Sequence, residues 1–256
     1  MSSYARYPSL QDRGVLITGG ATGIGEALVE AFVAQGAKVG FIDLAADEGE
    51  ALAARLGATS ANPPQFIAAD LSDVDALRGA IATLRERLNC PFSVLLNNAA
   101  NDKRHAVEDT TPEFWDASVA VNLKHQFFAA QAVLPDMRAA GKGSIVNFGS
   151  ISWMLKQGGM PAYTASKAAI QGLTRCLARD FGAHGIRVNT LVPGWVMTEK
   201  QLRLWVTDET KQEIAKGQCL PEQLMPEHIA RMALFLAADD SAMCTGQDFV
   251  VDGGWA

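Results

Sequence analysis

Short apolar runs alternate with longer stretches of helical periodicity along most of the chain. The short runs are rich in β-branched and aliphatic residues, which is typical of buried strands. They predict strands at Val15–Thr18, Lys38–Ile42, Gln65–Ala68, Ser93–Leu96, Ser144–Phe148, Arg187–Val192 and Phe249–Val251. Helices are predicted between the strands, for example at Glu26–Gln35 and Asp73–Leu88.

This alternation predicts an α/β fold of about seven parallel strands with helices on both faces of the sheet. Ligands of such a fold bind beyond the carboxyl ends of the strands. The 256 residues contain no repeat, linker or low-complexity tract, so a single domain spanning residues 1–256 is expected. Residues 193–226 follow neither pattern and are predicted to form a mobile lid over the ligand cleft.

Composition and charge exclude several classes of function. A net charge of -6 without a Lys/Arg cluster argues against nucleic acid as a partner. No stretch approaches the ~20 apolar residues that span a bilayer. The segment Met1–Arg6 lacks an apolar signal core, so a cytoplasmic location is expected. The four cysteines and four histidines lack ligand spacing, so no metal is expected.

A glycine-rich segment, Thr18–Gly25, directly follows the first predicted strand and precedes a helix. Glycines allow the backbone to approach a pyrophosphate, and the helix N-terminus offers unpaired N–H groups. An ordinary turn is the alternative for such a segment taken alone. Cofactor contacts are predicted for Gly19, Thr22, Gly23, Ile24 and Gly25.

The second strand leads into Asp43, whose carboxylate would accept hydrogen bonds from an adenosine ribose and repel a 2'-phosphate. Neither Thr22 nor Leu44 offers a cation that would rescue phosphate binding, so NAD is favoured over NADP. A strand-end carboxylate that meets only water is the alternative. Small polar turns after the third and fourth strands are expected to hold the adenine ring and the nicotinamide ribose through Asp70, Leu71, Asn98 and Ala99.

Three further residues form a candidate proton-transfer site. Tyr163 and Lys167 share one face of a predicted helix, so the ammonium favours the phenolate. A free tyrosine titrates near pH ~10 and needs such help to act as a base at neutral pH. Ser150, which follows the fifth strand, would hydrogen-bond the reacting oxygen.

With these motifs assembled, the chain resembles the short-chain dehydrogenase/reductase family along nearly its whole length. The resemblance rests on Thr18–Gly25, Asn97-Asn98-Ala99, Asn122, Ser150, Tyr163 with Lys167, and Pro193-Gly194 followed by Thr198. It implies a Rossmann-type doubly wound sheet, a nicotinamide cofactor and a catalytic tetrad of Asn122, Ser150, Tyr163 and Lys167. Further cofactor contacts are implied for Pro193, Gly194, Val196 and Thr198. The last position of the family's Asn-Asn-Ala-Gly motif is Ala100 in this chain, and this change removes no reacting group.

The resemblance also implies roles for the tetrad. Tyr163 takes the hydroxyl proton while hydride leaves the same carbon, and Ser150 stabilises the developing charge. Lys167 lowers the tyrosine pKa and holds the nicotinamide ribose, while Asn122 fixes a water that links Lys167 to solvent. A homotetramer is implied, built through the helices near Pro112–Met137 and Tyr163–Phe181 and the C-terminal strand.

A narrower likeness, to bacterial aldose 1-dehydrogenases, rests on the segments Tyr7–Leu10, Asn97–Asp102 with Arg104-His105, Asn147–Trp153 and Gln218–Leu220. It implies oxidation of a sugar at C1 to the lactone, with D-xylose favoured. Expected substrate contacts are Asn101, Ser150, Ser152, Gln157, Tyr163 and Trp195, with Trp153 an alternative stacking platform. L-Arabinose, D-galactose and L-fucose remain alternative sugars. A keto-acid or 3-oxoacyl reductase on the same scaffold and a cofactor-binding regulator without catalysis are the other hypotheses.

Overall fold

The fold is described from a computed structural model that covers residues 4–256. Residues 1–3 lie outside the described residues. They are half of the segment Met1–Arg6, for which the sequence predicts no signal core. Seven strands form one parallel sheet, and every predicted strand is found with bounds shifted by at most one residue. They are β1 (Gly14–Thr18), β2 (Lys38–Asp43), β3 (Gln65–Ala68), β4 (Val94–Asn97), β5 (Gly143–Phe148), β6 (Ile186–Pro193) and β7 (Asp248–Val251).

The strand order is β3-β2-β1-β4-β5-β6-β7, which confirms the doubly wound Rossmann-type topology. The chain leaves β1 toward one edge of the sheet and returns at β4 to build the other half. β1 and β4 are direct neighbours, with Val15 opposite Val94 and Thr18 opposite Asn97. The crevice beyond their carboxyl ends is the topological switch point at which such sheets bind ligands.

Helices cover both faces of the sheet. They are α1 (Gly23–Ala34), α2 (Ala46–Gly57), α3 (Val74–Leu88), α4 (Pro112–Val119), α5 (His125–Ala140), α6 (Pro161–Phe181), α7 (Glu199–Leu204), α8 (Asp208–Gly217) and α9 (Pro226–Ala237). One apolar core joins α1 and α9 to the sheet, and a second joins α3, α5 and the end of α6 to the opposite face. Burial on both faces explains why the strands are apolar throughout rather than alternating.

The predicted irregular stretch at 193–226 contains two helices, α7 and α8, so its description as lacking regular structure is wrong. Both helices begin at threonine N-caps. The Thr198 hydroxyl accepts a hydrogen bond from the Gln201 amide, and the Thr207 hydroxyl accepts one from the Thr210 amide. Such caps satisfy amides that have no partner within a helix, which allows these short helices to form without apolar periodicity.

A π-helical turn, Ala120–Lys124, joins α4 to α5 within the predicted helical region Pro112–Met137. Its widened spacing changes which side chains face the sheet, and Asn122 becomes fully buried. π turns inside longer helices occur frequently at functional sites.

Two negative findings apply to residues 4–256. None of the helices there combines the length and apolar character that crossing a bilayer requires. In the same residues, His, Cys, Asp and Glu side chains do not gather into a group of three or more with metal-binding geometry.

Candidate active site

A cleft of about 1580 Å³ runs along the carboxyl ends of the strands, from the turn after β1 to α7. Typical pockets for drug-sized ligands measure roughly 300–1,000 Å³, so this cleft has room for a dinucleotide together with a small substrate. All sixteen predicted cofactor residues line it: Gly19, Thr22, Gly23, Ile24, Gly25, Asp43, Asp70, Leu71, Asn98, Ala99, Tyr163, Lys167, Pro193, Gly194, Val196 and Thr198.

Glycine is required at two positions of the turn after β1. Gly19 has φ +67°, and a Cβ there would lie 2.6 Å from the Ala99 Cα. A Cβ on Gly25 would collide with the Gly19 carbonyl oxygen, because the first turn of α1 lies directly against the end of β1. Thr22 precedes α1 in extended conformation and makes no side-chain capping bond to the helix. The helix start therefore presents backbone N–H groups and its positive dipole end to the cleft.

Asp43, at the end of β2, lies against this turn. Its carboxylate accepts hydrogen bonds from the Ala21 amide at 2.9 Å and the Ala45 amide at 3.1 Å. A carboxylate has about four acceptor positions, so capacity remains for a ribose diol. Arg55 also lines this end of the cleft, but its guanidinium is bound by Glu26 at 2.8 Å and Glu30 at 2.7 Å.

Asn98 lines the cleft and also supports the glycine turn. Its side-chain amide donates to the Gly19 carbonyl at 2.7 Å, and the Ala99 amide donates to the Thr18 hydroxyl at 3.2 Å. These bonds link the carboxyl ends of β1 and β4 across the switch point. In the turn after β3, the Asp70 carboxylate accepts hydrogen bonds from Ser72 and lies exposed at the cleft mouth.

The Tyr163 phenol lies on the first turn of α6. Burial raises its pKa to about 12, and the negative charge of Asp102 acts in the same direction. A hydrogen bond with Ser150 and the positive charge of Arg104 oppose this increase. In the protein alone, therefore, the phenol is held in its neutral form, ready to donate a proton or to be activated by added positive charge.

Lys167 lies beside Tyr163 at the substrate end of the cleft. Its side chain is 1% exposed, and its Nζ lies 5.6 Å from the centroid of the Tyr163 ring. Burial lowers its own pKa to about 7, because a desolvated ammonium is unfavourable, and its action on the phenol stays a prediction. One of its three donors is bonded to the Phe148 carbonyl at 2.7 Å. That bond holds the amine beside the end of β5.

The side-chain amide of Asn122 is bonded to the protein at both ends, and the water-fixing role expected of Asn122 stays a prediction. Its side-chain oxygen accepts a hydrogen bond from the Asn101 amide at 2.9 Å. Its side-chain nitrogen donates to the Asn101 carbonyl at 3.0 Å and the Ser118 carbonyl at 2.9 Å. Because these protein partners occupy both ends of the amide, Asn122 joins the π turn to the loop after β4.

The substrate residues predicted from the sequence fall into two groups. Asn101, Ser150, Gln157, Tyr163 and Trp195 line the cleft, and the Trp195 ring stacks on Trp255 with centroids 6.5 Å apart. Ser152 does not belong to the lining. It is 2% exposed and its amide donates to the Ser150 hydroxyl, so it holds Ser150 from behind instead of meeting a ligand.

Sequence reasoning named Asn101 in the loop Asn101–His105 as a substrate contact, but it missed the contacts through which this loop connects three parts of the site. Asp102 accepts hydrogen bonds from Lys200 at 2.6 Å and Gln201 at 2.7 Å on α7. Arg104 lies over the Trp205 ring, 5.2 Å from its centroid. These partners are distant in sequence, and no local motif marks them.

Comparison with solved structures supports this description of the fold. A short-chain type dehydrogenase/reductase from Mycobacterium ulcerans superimposes with a TM-score of 0.90, at 28% identity, over 96% of this chain and 90% of that one. The family model described as enoyl-(acyl carrier protein) reductase matches residues 19–256. The chain belongs to the short-chain dehydrogenase/reductase family. It is an oxidoreductase that acts on CH–OH groups with a nicotinamide cofactor.

Two relatives in this family match along their full length. A probable galactose dehydrogenase of Rhizobium meliloti is 48% identical over 250 residues, which cover 98% of this chain and 97% of that protein. D-xylose 1-dehydrogenase of Caulobacter vibrioides is 44% identical over 253 residues, which cover 99% of each chain. Both are named for oxidation of a sugar.

Structural neighbours bind both forms of the cofactor. A 3-oxoacyl-[acyl-carrier protein] reductase from Brucella melitensis with bound NAD has a TM-score of 0.86 at 34% identity, over 97% of this chain and 92% of that one. A blue fluorescent protein from a metagenomic library, in complex with NADPH, has a TM-score of 0.87 at 32% identity, over 97% and 99%. The family and fold therefore establish a nicotinamide cofactor but not which form this chain prefers.

The cleft fits that cofactor. The glycine turn is a cradle in which a Cβ at Gly19 or Gly25 would meet backbone, and the α1 N-terminus offers amides for a pyrophosphate. Asp43 would hold the adenosine ribose, while Tyr163 and Lys167 lie at the opposite end of the cleft. When bound, the nicotinamide supplies the hydride acceptor or donor. The protein's own part would be to position the substrate and to exchange a proton at the Tyr163 oxygen.

Proposed function

We propose that the enzyme is an aldose 1-dehydrogenase that uses NAD, with D-xylose the favoured substrate. The full-length similarity to two sugar dehydrogenases carries this proposal. The intact Ser150, Tyr163 and Lys167 argue against a regulator without catalysis, because a binding protein has no need of a buried phenol beside a buried amine. The 3-oxoacyl reductase hypothesis is supported by structural likeness at 34% identity, which is lower than the identity to the two sugar dehydrogenases.

In the proposed reaction, the aldopyranose loses the C1 hydroxyl proton and the C1–H hydride, which leaves the lactone. Tyr163 in its phenolate form would accept the proton, and bound NAD would supply the hydride acceptor. Ser150 donates a hydrogen bond to the reacting oxygen and opposes the burial that keeps the tyrosine neutral. Asn101, Gln157 and Trp195 are proposed to contact the sugar, since all three line the cleft.

The preference for NAD rests on the adenosine end of the cleft. The Asp43 carboxylate would repel a 2'-phosphate, and Leu44 beside it is 72% exposed without offering a cation. The nearby guanidinium of Arg55 is engaged by two glutamates. Among residues 4–256, the lining of this end of the cleft therefore offers no unpaired cation to the 2'-phosphate of NADP.

Initial rates of NADH formation on a panel of aldoses test the proposal, with NAD and NADP supplied in turn. D-Xylose, L-arabinose, D-galactose and L-fucose form the panel, together with a hydroxy acid and a 3-hydroxyacyl substrate. Aldose oxidation with NAD as the better cofactor is the expected result. Turnover confined to the hydroxyacyl or hydroxy-acid substrates would overturn the assignment of a sugar.

D-Galactose is a second candidate substrate, favoured by the relative at 48% identity. It carries a hydroxymethyl group that D-xylose lacks and has the opposite configuration at C4, so the two sugars probe both the volume of the substrate end and the placement of its polar groups. A ratio of kcat/KM for the two sugars decides between them.

We also propose a cytoplasmic homotetramer. The exposed apolar side chains Trp115, Phe127 and Val250 belong to α4, α5 and β7. These elements are among those that the family resemblance implies as subunit interfaces. The four cysteines, Cys90, Cys176, Cys219 and Cys244, are free thiols, as suits a reducing compartment. Sedimentation of the purified protein tests the assembly, and a monomer would contradict it.

A further inference from the structure

Arg104 is a guanidinium in the cleft without a carboxylate partner. It is half-buried and lines the cleft, and no Asp or Glu among residues 4–256 lies within ion-pair distance of it. The nearest carboxylate in sequence, Asp102, is engaged by Lys200 and Gln201. A partly desolvated cation of this kind is costly unless it has polar partners. Its five donors therefore remain available to a ligand.

The position of Arg104 is determined by bonds on both sides of it. Asn101 exchanges two backbone bonds with the Asn122 side chain. The His105 amide donates to the Gly159 carbonyl at 2.8 Å, and the His105 ring accepts a bond from the Ala162 amide at the start of α6. The loop is thereby tied to the helix that carries Tyr163. The guanidinium is close enough to Tyr163 that its charge acts on the phenol.

Trp205 supplies the face on which the guanidinium rests. Its ring lies at the end of α7, and the Arg104 carbon is 5.2 Å from the ring centroid. A guanidinium held over an aromatic face by cation–π attraction keeps its N–H donors available for hydrogen bonds to a ligand. A planar fork of donors matches two adjacent oxygen atoms. Vicinal hydroxyls of a pyranose provide such a pair.

We propose that Arg104 is a substrate-binding residue that donates hydrogen bonds to two adjacent ring hydroxyls away from C1. This inference rests on the proposed aldose 1-dehydrogenase function. Binding at the far side of the ring holds C1 at Ser150 and Tyr163, and Trp205 brings α7 into the same contact. Sugars that lack one of these hydroxyls leave a donor unpaired and react more slowly.

The test combines changes in the enzyme with changes in the sugar. Wild type and Arg104→Gln are assayed with the preferred aldose and its 2-, 3- and 4-deoxy analogues. With wild type, removal of a hydroxyl that Arg104 binds lowers kcat/KM by about 10- to 100-fold. In Arg104→Gln, the parent sugar suffers a similar loss, and the same analogue suffers little further loss. Arg104→Lys, which keeps the charge but not the fork, restores only part of the activity.

Lys103→Gln is the matched control. Lys103 belongs to the same loop, carries the same charge and also lies over an aromatic ring, that of Phe114 at 5.6 Å, but it does not line the cleft. It should keep wild-type kcat/KM and wild-type discrimination among the analogues. NADH binding and thermal melting of Arg104→Gln show whether the fold and cofactor site survive.

The outcomes separate the two proposals. If wild type oxidises aldoses but Arg104→Gln discriminates among the deoxy analogues as wild type does, the role of Arg104 is wrong and the proposed function stands. Wild type that oxidises no aldose would overturn both. Loss of discrimination at one or two hydroxyl positions, confined to the Arg104 variants, supports the assignment and identifies which hydroxyls are bound.

Discussion

The cofactor end and the substrate end of the cleft are built by different means. At the cofactor end, backbone lies against backbone, as where Gly19 meets Ala99 and Gly25 meets Gly19. At the substrate end, side chains of distant segments meet, as in the bonds of Asp102 to Lys200 and Gln201. The first kind of contact admits almost no substitution, whereas the second changes with a single side chain.

The burial of the two ends differs in the same sense. Thr18 and Asn97, at the ends of β1 and β4, are fully buried, but Lys200 in its ion pair with Asp102 keeps half of its side chain exposed. Ion pairs that are open to solvent contribute roughly 0–1 kcal/mol, so the half-exposed Lys200 adds little to the contact of α7 with the loop after β4. A rigid cofactor site beside an adjustable substrate site lets one scaffold serve many sugars and alcohols.

The proposed reacting centre lies at the substrate end of the cleft, and its loss gives the largest expected effect. Tyr163→Phe removes the proposed acceptor of the hydroxyl proton, while the ring keeps its packing. We expect kcat to decrease by about 10³-fold with little change in NADH affinity. Stopped-flow rates and NADH fluorescence measure the two quantities.

Tyr7→Phe, in a tyrosine packed against the core, is the control and should react as wild type does. Substantial activity in Tyr163→Phe would show that another group accepts the proton. It would also remove the reason to place catalysis at the first turn of α6.

The cofactor end is tested by the double variant Asp43→Ser with Leu44→Arg. It removes the carboxylate that repels a 2'-phosphate and adds a guanidinium at the exposed neighbouring position. Charge-assisted hydrogen bonds of this kind are worth about 1.5–3 kcal/mol, so NADP use should rise about 10- to 100-fold. Ratios of kcat/KM for NADP and NAD measure the switch.

Leu44→Arg alone separates the two changes, because the retained Asp43 should still repel the phosphate. An NADP preference already present in wild type would contradict the argument from Asp43. An unchanged ratio in the double variant would place cofactor selection elsewhere in the cleft.

The contrast between the two ends also explains what the sequence could predict. The glycine turn, the strand ends and the Tyr163-Lys167 pair are local patterns, because backbone geometry demands particular residues at fixed spacing. The strands are local patterns too, because a short apolar run marks each of them, and all seven lie within one residue of their predicted bounds.

Contacts between distant segments have no such signal. Asp102 and Lys200 are 98 residues apart, and either would be an ordinary surface charge on its own. The π turn at Ala120–Lys124 is composed of residues that suit an α-helix, and tertiary packing decides its widened spacing. The burial of Ser152 and the occupation of the Asn122 amide depend on the same packing. The start of α7 is different, because its N-cap Thr198 is followed directly by Glu199, and this local pattern is a recognisable helix-start signal.

His125, which lies against the end of β1, leads us to expect that the stability of the fold depends on pH. It is fully buried, 3.4 Å from the Thr18 hydroxyl, and burial lowers its pKa to about 3, with the charge of Lys167 acting in the same direction. Between pH 6.5 and this value the unfolded chain binds a proton that the folded chain does not, so stability falls as pH falls. One such group costs at most about 2 kcal/mol on going from pH 6.5 to pH 5.

Urea unfolding of wild type and His125→Asn at the two pH values measures this loss. The variant should lose less stability on acidification, whereas His184→Asn, at an exposed histidine, should behave as wild type does. Equal acid sensitivity of all three proteins would contradict the buried neutral state of His125. In that case the carboxylates would account for the whole effect.

Asp102→Asn tests the adjustable end and should give the smallest change in rate. Asp102 is held ionised because, although burial opposes it, bonds from Lys200 and Gln201 lower its pKa below the ordinary value. Its removal loosens α7, and KM for the sugar should rise about twofold to fivefold. Loss of its negative charge also lowers the pKa of Tyr163, because Asp102 raises it. The rising limb of kcat/KM against pH should therefore move to lower pH.

The pH profile distinguishes this from simple loosening, because a merely structural contact would change KM without moving the limb. Asp75→Asn, which breaks an exposed ion pair with Arg78 on α3, is the matched control and should change neither quantity. Arg104 and Ser150 stay in place in the variant and continue to favour the phenolate, so the direction of the shift is set by Asp102 alone. A limb that stays in place would mean that Asp102 acts only on α7, and the substrate end would then be coupled to catalysis through position rather than charge.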